Sequence, residues 1–351
     1  MSKIKKLSFR NILTFITLIL VGVVIWENSG AIGEAIRSIG DTNLWILLLL
    51  IPEQLFMYYS CGQIFFSFMS AKKNVKKAST LDLMRVSLEL NFVNHAVPAG
   101  GFGGLAYVSW RLKKFGATPG QSSFMYALRY AITVCANQAQ TLVAILALAL
   151  FGTIPAGSSW VIWLTVLISV GVIAGIGIII IIASSAKRVH WFSNLAARLC
   201  DWAVKTITFG KKHSSLQYET IDAYLMDIHD DLVTAGKNKK MLVKPIIWGI
   251  IYSLLEVGTY WIVAIGRGNP WVMPQIMIGE AIGSVLGTIF PIGPYEAGMA
   301  GVMTMLGVSD AIAIVCITRV IVLGVTIISG YGFYQNAISK IGKDPIKATE
   351  D

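Results

Sequence analysis

The sequence predicts an all-α polytopic membrane protein with about six transmembrane helices and two re-entrant broken-helix hairpins in an inverted repeat. Three observations predict it. Hydrophobic residues make up 55% of the 351 and charged residues only 14%, against roughly 25% charged in soluble domains; mean hydropathy is +0.67. Apolar runs long enough to cross a bilayer, about 20 residues, recur along the chain. Two further hydrophobic regions are each interrupted by glycine and proline, at PAGGFGGLAY (98–107) and at PIGPYEAGMAG (291–301).

The spans fall near 8–27, 43–70, 119–150, 159–184, 244–266 and 309–336, and the interrupted regions near 82–110 and 274–307. The N-terminal MSKIKKLSFR with its apolar run resembles a signal peptide, but the run is long and further spans follow, so it reads as an uncleaved first helix. Lysine and arginine set the orientation. Lys3, Lys5, Lys6 and Arg10 place the N-terminus in the cytoplasm, as do Lys72, Lys73, Lys76, Lys77 and Arg85 for the segment after the second span. Loop 27–43, with Glu27, Glu34, Arg37 and Asp41, lies outside. Arg111, Lys113 and Lys114 then bring the far flank of the first interrupted region back to the cytoplasm. Each half of that region is about 15 residues, or roughly 23 Å of helix, too short to cross. It therefore enters from the cytoplasm, turns and returns. By the same count the second hairpin enters from outside, because Lys340, Lys343 and Lys347 place the C-terminus in the cytoplasm.

The whole chain, 1–351, is one membrane domain, with a first repeat over about 43–150, a second over about 244–336, and a cytoplasmic amphipathic loop over 185–243. Transporters are often built this way, with broken helices meeting near the midplane. Irregular backbone at that depth survives only where protein or a wet cavity covers it. The breaks are carried by Pro98, Gly100 and Gly101 and by Pro291, Gly293 and Pro294. The alternative is a pair of proline kinks in two plain spans, giving eight crossings. In the loop, residues 189–209 mix aromatics with basic residues, as a helix lying on a lipid surface does, and residues 216–232 read as an acidic helix.

Ionisable residues inside spans are costly and by default mark function. Here they are paired between the repeats: Glu53 with Glu256, Glu89 with Glu280, and Arg129 with Arg319; Glu296 follows the second break. Tyr126, Arg129, Tyr130, Thr133, Asn137 and Gln140 recur at three- and four-residue steps, so they line one helix face. Ser87, Asn91 and Asn94 repeat that spacing before Pro98, with His95 beside them. Two guanidiniums at two depths can pass a lipid phosphate across by forked hydrogen bonds, while the glutamates neutralise them or bind a cationic headgroup. The competing reading makes Arg129 and Arg319 structural ion pairs. His95 is either a proton carrier or a hydrogen-bonded structural histidine. Gly171 and Gly175 form a small-xxx-small motif read as helix packing.

Other chemistry is excluded. The net charge of +10 sits in loops as the positive-inside rule requires, and no basic-plus-aromatic module for nucleic acid appears. Cys61, Cys135, Cys200 and Cys316 have no ligand-like spacing, so neither a disulfide framework nor a zinc site is expected. No nucleophile elbow, HExxH or P-loop is present, and neither a metal nor a cofactor is expected.

The stretches NHAVPAGGFGGLAYVSWRLKKFG (94–116), GSVLGTIFPIGPYEAGMAGVMTMLGV (283–308) and TRVIVLGV (318–325) resemble the lysylphosphatidylglycerol synthase transmembrane-region family. This flippase-like domain family includes the membrane half of the multiple peptide resistance factor. The resemblance covers nearly the whole chain, and Pro98, Gly100, Arg129, Pro291, Gly293 and Arg319 match its motif positions. Gly101 and Gly103 stand where members often carry an arginine and a glutamate. The resemblance implies movement of aminoacylated phospholipids or glycolipids between leaflets. The expected function is thus a non-enzymatic, non-ATP-driven translocase in the inner membrane. It would act on a phosphate-bearing lipid such as aminoacyl-phosphatidylglycerol or a lipid-linked sugar. Expected partners are membrane lipids, a homo-oligomer and a separate lipid-modifying enzyme, and not nucleic acid. A scaffold or accessory subunit of a lipid-modifying enzyme, or a polar-solute transporter, are the other readings.

Overall fold

The computed structural model describes residues 29–71, 78–96, 102–152, 154, 155, 157–207, 218–289 and 293–339, and among them the regular structure is helical, with no strand. Four helical stretches are long and apolar enough to cross a membrane: Leu44–Ser70, Pro119–Phe151, Ser159–Ala183 and Lys240–Gly266. They fall on four of the expected spans. The first begins with α2 (Leu44–Leu47), capped by the Asn43 side chain on the Trp45 amide, and runs into α3 (Leu50–Ser70). A short helix, α1 (Ser29–Ile39), precedes it. The expected span 8–27 lies outside the described residues.

The interrupted regions are helical pairs: α4 (Thr80–Ala96) with α5 (Phe102–Lys113), and α11 (Met273–Ile289) with α12 (Pro294–Met305). A 12-residue leg is about 18 Å long, well short of a hydrocarbon core of about 30 Å. The legs of each pair lie antiparallel. In the second pair Gly279 meets Met303, Gly283 meets Met299 and Gly287 meets Tyr295, so partners run in opposite directions. In the first, Glu89 binds Arg111, and a Cβ on Gly104 would overlap the Asn94 side chain. A proline-kinked single span cannot bring these residues together, so the plain-span alternative is set aside. Pro98, Gly100, Gly101 and Pro291 lie outside the described residues.

Between the hairpins run α6 (Pro119–Phe151), opened by a Thr118–Gln121 capping box with Pro119 in the first turn, and α7 (Ser159–Ala183). Two helices fill the loop, α8 (Ala186–Ile207) and α9 (Tyr218–Lys237), before α10 (Lys240–Gly266). The expected last span is interrupted in a way the sequence did not signal: α13 (Ala311–Val325), a π-helical turn (Thr326–Gly330) and α14 (Tyr331–Ser339).

The two repeats interlock. α3 packs along α10, joined by a 3.0 Å hydrogen bond from Gln54 to Thr259. Each hairpin then leans on the last span of the other repeat. α11 packs on α6, and α4 packs on the π turn, where a Cβ on Gly330 would meet the Leu88 carbonyl at 2.9 Å. The Phe92 ring lies 5.7 Å from Tyr331 and 5.4 Å from Tyr334. Arg267, at the far end of α10, clasps Asp310 and the Ser38 carbonyl.

α8 and α9 form a platform at the other end. His190 of α8 pairs with Asp222 of α9 at 2.8 Å. Partial burial pushes the Asp222 carboxyl up, but hydrogen bonds from His190 and Ser193 outweigh it and hold the group below the usual carboxylate range. His229 binds the Ala183 carbonyl that ends α7, and Tyr224 and Asp227 reach Ser123 and Thr118 at the start of α6. Trp191, Leu195, Leu199 and Trp202 leave one apolar face of α8 exposed, the stripe expected of a helix on a lipid surface. α7 buries only Val161, Thr165 and Ser169, and a Cβ at Gly171 or Gly175 would touch nothing within 4 Å among the described residues. The packing expected at that motif is not found among the described residues.

Candidate functional site

The charged residues paired along the sequence converge where α3 crosses α10. Glu53 of α3 accepts hydrogen bonds from Gln54 at 3.0 Å and from Thr259 of α10 at 3.1 Å, and it lies within electrostatic reach of Glu256. Glu256 in turn lies within reach of both Arg129 and Arg319. Glu280 of α11 is buried, sits in the field of Glu256 and Arg319, and is approached by Asn137 of α6. One of its oxygens makes no hydrogen bond.

The two arginines differ. Arg319 donates from Nε to Glu296 at 2.6 Å, and its guanidinium lies 4.6 Å from the centre of the Tyr295 ring. Glu296 also accepts from the Gly293 amide at 2.6 Å, so one carboxylate closes both the arginine and the start of α12. Gly293 has φ of +91°, and Pro294 follows in the first turn, a position where its missing N–H costs nothing. Tyr295 is held by Tyr260 at 3.0 Å.

Among the described residues Arg129 has no such partner. Its guanidinium lies between Tyr130, at 5.4 Å, and Tyr252 of α10, at 5.6 Å, and its buried Nε makes no hydrogen bond. A desolvated cation–π contact is worth about 2 kcal/mol, and removing a charge from water costs several. The rings alone leave Arg129 under-compensated, so the arrangement favours an anion at its Nε edge.

His95 ends the last described turn of α4, with Nδ1 2.8 Å from the Asn91 carbonyl, and it lies within reach of Arg319 and Glu296. The end of α4 thus lies within electrostatic reach of the Arg319–Glu296 pair. Asn94 donates to Tyr130 at 3.2 Å, and Tyr126 reaches Asn94 at 3.4 Å, so both flank the Arg129 stack without touching the carboxylates. The polar face of α6 is spent on protein partners: Asn137 on Glu280, Gln140 on Ser253 at 2.7 Å. Glu89 is drawn elsewhere. It is buried, and its two oxygens accept from Arg111 at 2.6 and 2.9 Å and from Tyr107 at 2.8 Å. Glu89 therefore ties the first hairpin together and is not in the cluster. Arg111, counted as a topological marker from the sequence, is its partner. Among the described residues no group of His, Cys, Asp and Glu forms a metal set.

The family model of the lysylphosphatidylglycerol synthase TM region matches residues 12–330. The chain belongs to that family. No curated protein and no solved structure matches it. The family places the chain in the membrane and ties it to lipid. The sequence bears on why Arg129 lacks a carboxylate partner among the described residues. When the Pro-x-Gly of 98–100 is set against that of 291–293, Gly103 falls in register with Glu296. The first repeat thus lacks the carboxylate that closes Arg319 in the second. Tyr252 and Tyr295 went unnoticed in the sequence because tyrosine is common in apolar spans. Their one available signal was spacing: Tyr252 stands one turn before Glu256, and Tyr295 adjoins Glu296.

Proposed function

We propose that this chain moves a phosphate-bearing lipid, such as an aminoacyl-phosphatidylglycerol or a lipid-linked sugar, between leaflets without ATP. The observation that carries this reading is the Arg129 guanidinium, stacked between two tyrosines with its buried Nε unbonded, beside Glu256 and between the repeats. A guanidinium in that state binds a phosphate by charge-assisted hydrogen bonds. Glu256 and Glu280 would receive a cationic headgroup. Arg319, closed by Glu296, would be the second station, opened when the second hairpin shifts. We read both hairpins as re-entrant, the first from the cytoplasm and the second from outside, in a cell (inner) membrane with both termini cytoplasmic. On this reading the protein is not itself an enzyme, and its lipid comes from a separate lipid-modifying enzyme.

A second reading, a membrane scaffold or accessory subunit, is favoured by the closed pairs Arg319–Glu296 and Arg111–Glu89. Lipid scrambling in proteoliposomes separates the two. Fluorescent phospholipids are reconstituted with wild type, Arg129→Ala, Arg129→Lys and Arg319→Ala, and an impermeant quencher is added. The wild type is expected to expose inner-leaflet lipid. Both Arg129 variants should slow this about tenfold or more, since a hydrogen bond to a charged group is worth about 1.5–3 kcal/mol. Protection of that lipid by the wild type, equal to that in empty liposomes across several headgroups, would overturn translocation and leave the scaffold.

A further inference from the structure

Along the seam between α3 and α10, away from the central cluster, Gln63, Phe66, Ser67 and Ser70 of α3 and Lys244 and Trp248 of α10 line a cavity of about 350 Å³. That volume suits a small polar group. Lys244 is exposed, and no carboxylate of the described residues pairs with it. Trp248 lines it, edge-on to Phe56 and Tyr59 with ring centres at 6.4 and 5.6 Å. Tryptophan and lysine are the side chains that favour the level of lipid headgroups. Beside the cavity, Ile246, Ile247, Ile250 and Leu254 are exposed on α10, so it borders the acyl-chain region.

The cavity and the central site lie along one helix, α10. Lys244, Trp248, Tyr252 and Glu256 follow one another at every fourth residue of α10. Each step climbs about 6 Å and drifts about 40° around the helix. Tyr252 stacks on Arg129, and Glu256 lies in its field. Lys244 is therefore about 18 Å along the axis from Glu256, close to half a hydrocarbon core of about 30 Å. If the arginine cluster lies near the midplane, the cavity lies at one headgroup level.

Resting on the translocation reading, we propose that this cavity is the docking site for an anionic phospholipid of the adjacent leaflet. Its phosphate is held by Lys244, with the Ser67 and Ser70 hydroxyls alongside. Its acyl chains lie on Ile247 and Ile250. The headgroup then follows the Trp248–Tyr252 stripe to Arg129.

The test uses the full chain in phosphatidylcholine liposomes with a small fraction of phosphatidylglycerol that carries a photoreactive diazirine near its headgroup. Labelled peptides are mapped by mass spectrometry for wild type, Lys244→Ala, Lys244→Arg and Arg129→Ala, each first shown to be folded by its thermal unfolding in detergent. Labelling is expected on 63–70 and 244–248. It should fall about fivefold in Lys244→Ala, the effect of one lysine at an anionic surface. It should persist in Lys244→Arg and in Arg129→Ala. In the scrambling assay the Lys244→Ala defect should recover as the phosphatidylglycerol fraction rises, and the Arg129→Ala defect should not. Labelling no denser than on the exposed face of α7, or unchanged in Lys244→Ala, overturns the proposal. So does its loss to millimolar inorganic phosphate, which would make the cavity a solute site. Lysine-dependent labelling in a protein that scrambles no lipid keeps the docking site and removes only the translocation reading.

Discussion

Arg111, Arg129 and Arg319 sit in three different helices, and the residue opposite each one decides its role. Arg111 is closed by Glu89 and Tyr107, Arg319 by Glu296 and Tyr295, and Arg129 by two aromatic faces and no carboxylate. The first two resemble locks. Removing one partner of a buried pair leaves an uncompensated charge and costs about 3–5 kcal/mol, whereas replacing both with apolar groups is often neutral. Glu89→Gln is therefore expected to lower the thermal midpoint in detergent sharply, and Glu89→Leu with Arg111→Met to recover most of the loss. A single variant as stable as wild type would mean that the pair does not hold the first hairpin. In the sequence Arg129 and Arg319 stand as counterparts. Their surroundings separate them, because the carboxylate in register with Glu296 is replaced by Gly103 in the first repeat.

Helix packing divides the glycine motifs in the same way. Gly279, Gly283 and Gly287 recur every fourth residue on α11, and a Cβ at each would press on α12 at about the limit of real contacts, 3.0 Å from the Met299 carbonyl, the Tyr295 carbonyl and the Tyr295 ring respectively. Close approach of backbones through small residues is how membrane helices gain packing where hydrophobic burial is weak. Gly171 and Gly175 of α7 have the same spacing and face nothing among the described residues. Gly283→Ala is expected to cost about 1–3 kcal/mol by overpacking. Gly175→Ala should be neutral or gain up to about 1 kcal/mol of helix propensity. Thermal unfolding of the two variants side by side checks the contrast, and equal effects would count against the antiparallel hairpin. The π turn at Thr326–Gly330 belongs to the same scale: it lies where α4 and the last span approach most closely, with Gly330 against Leu88.

For the whole molecule, the exchange of contacts between repeats is the informative feature. α6 supports the second hairpin and the last span supports the first, so neither half can complete its packing alone. The sidedness of the hairpins follows from the proposed topology. In a variant with Cys61, Cys135, Cys200 and Cys316 replaced, single cysteines introduced as Lys113→Cys and Lys187→Cys should both react with an impermeant maleimide from the cytoplasmic side. Labelling of the first from the outside alone would make the first interrupted region a crossing pair and would invert the depth assigned to Arg129.

Composition and pattern alone determined that this chain is a helical membrane protein, where four of its candidate spans lie, and that its charges recur in two halves. These properties are local: a run of apolar residues must be helical in lipid because each backbone N–H and C=O needs a partner within the segment. Antiparallel legs were expected from length, each half of an interrupted region being about 15 residues and so roughly 23 Å of helix, and the legs do lie antiparallel. Tertiary structure decided which charges meet. It brought His95 to Arg319, joined Glu53 to Thr259, removed Glu89 to Arg111 and set Tyr252 on Arg129. Those pairings join residues up to 224 positions apart, as His95 and Arg319 are. They depend on which helix faces which, and a periodicity read along one strand of sequence carries no information about the partner it will turn toward.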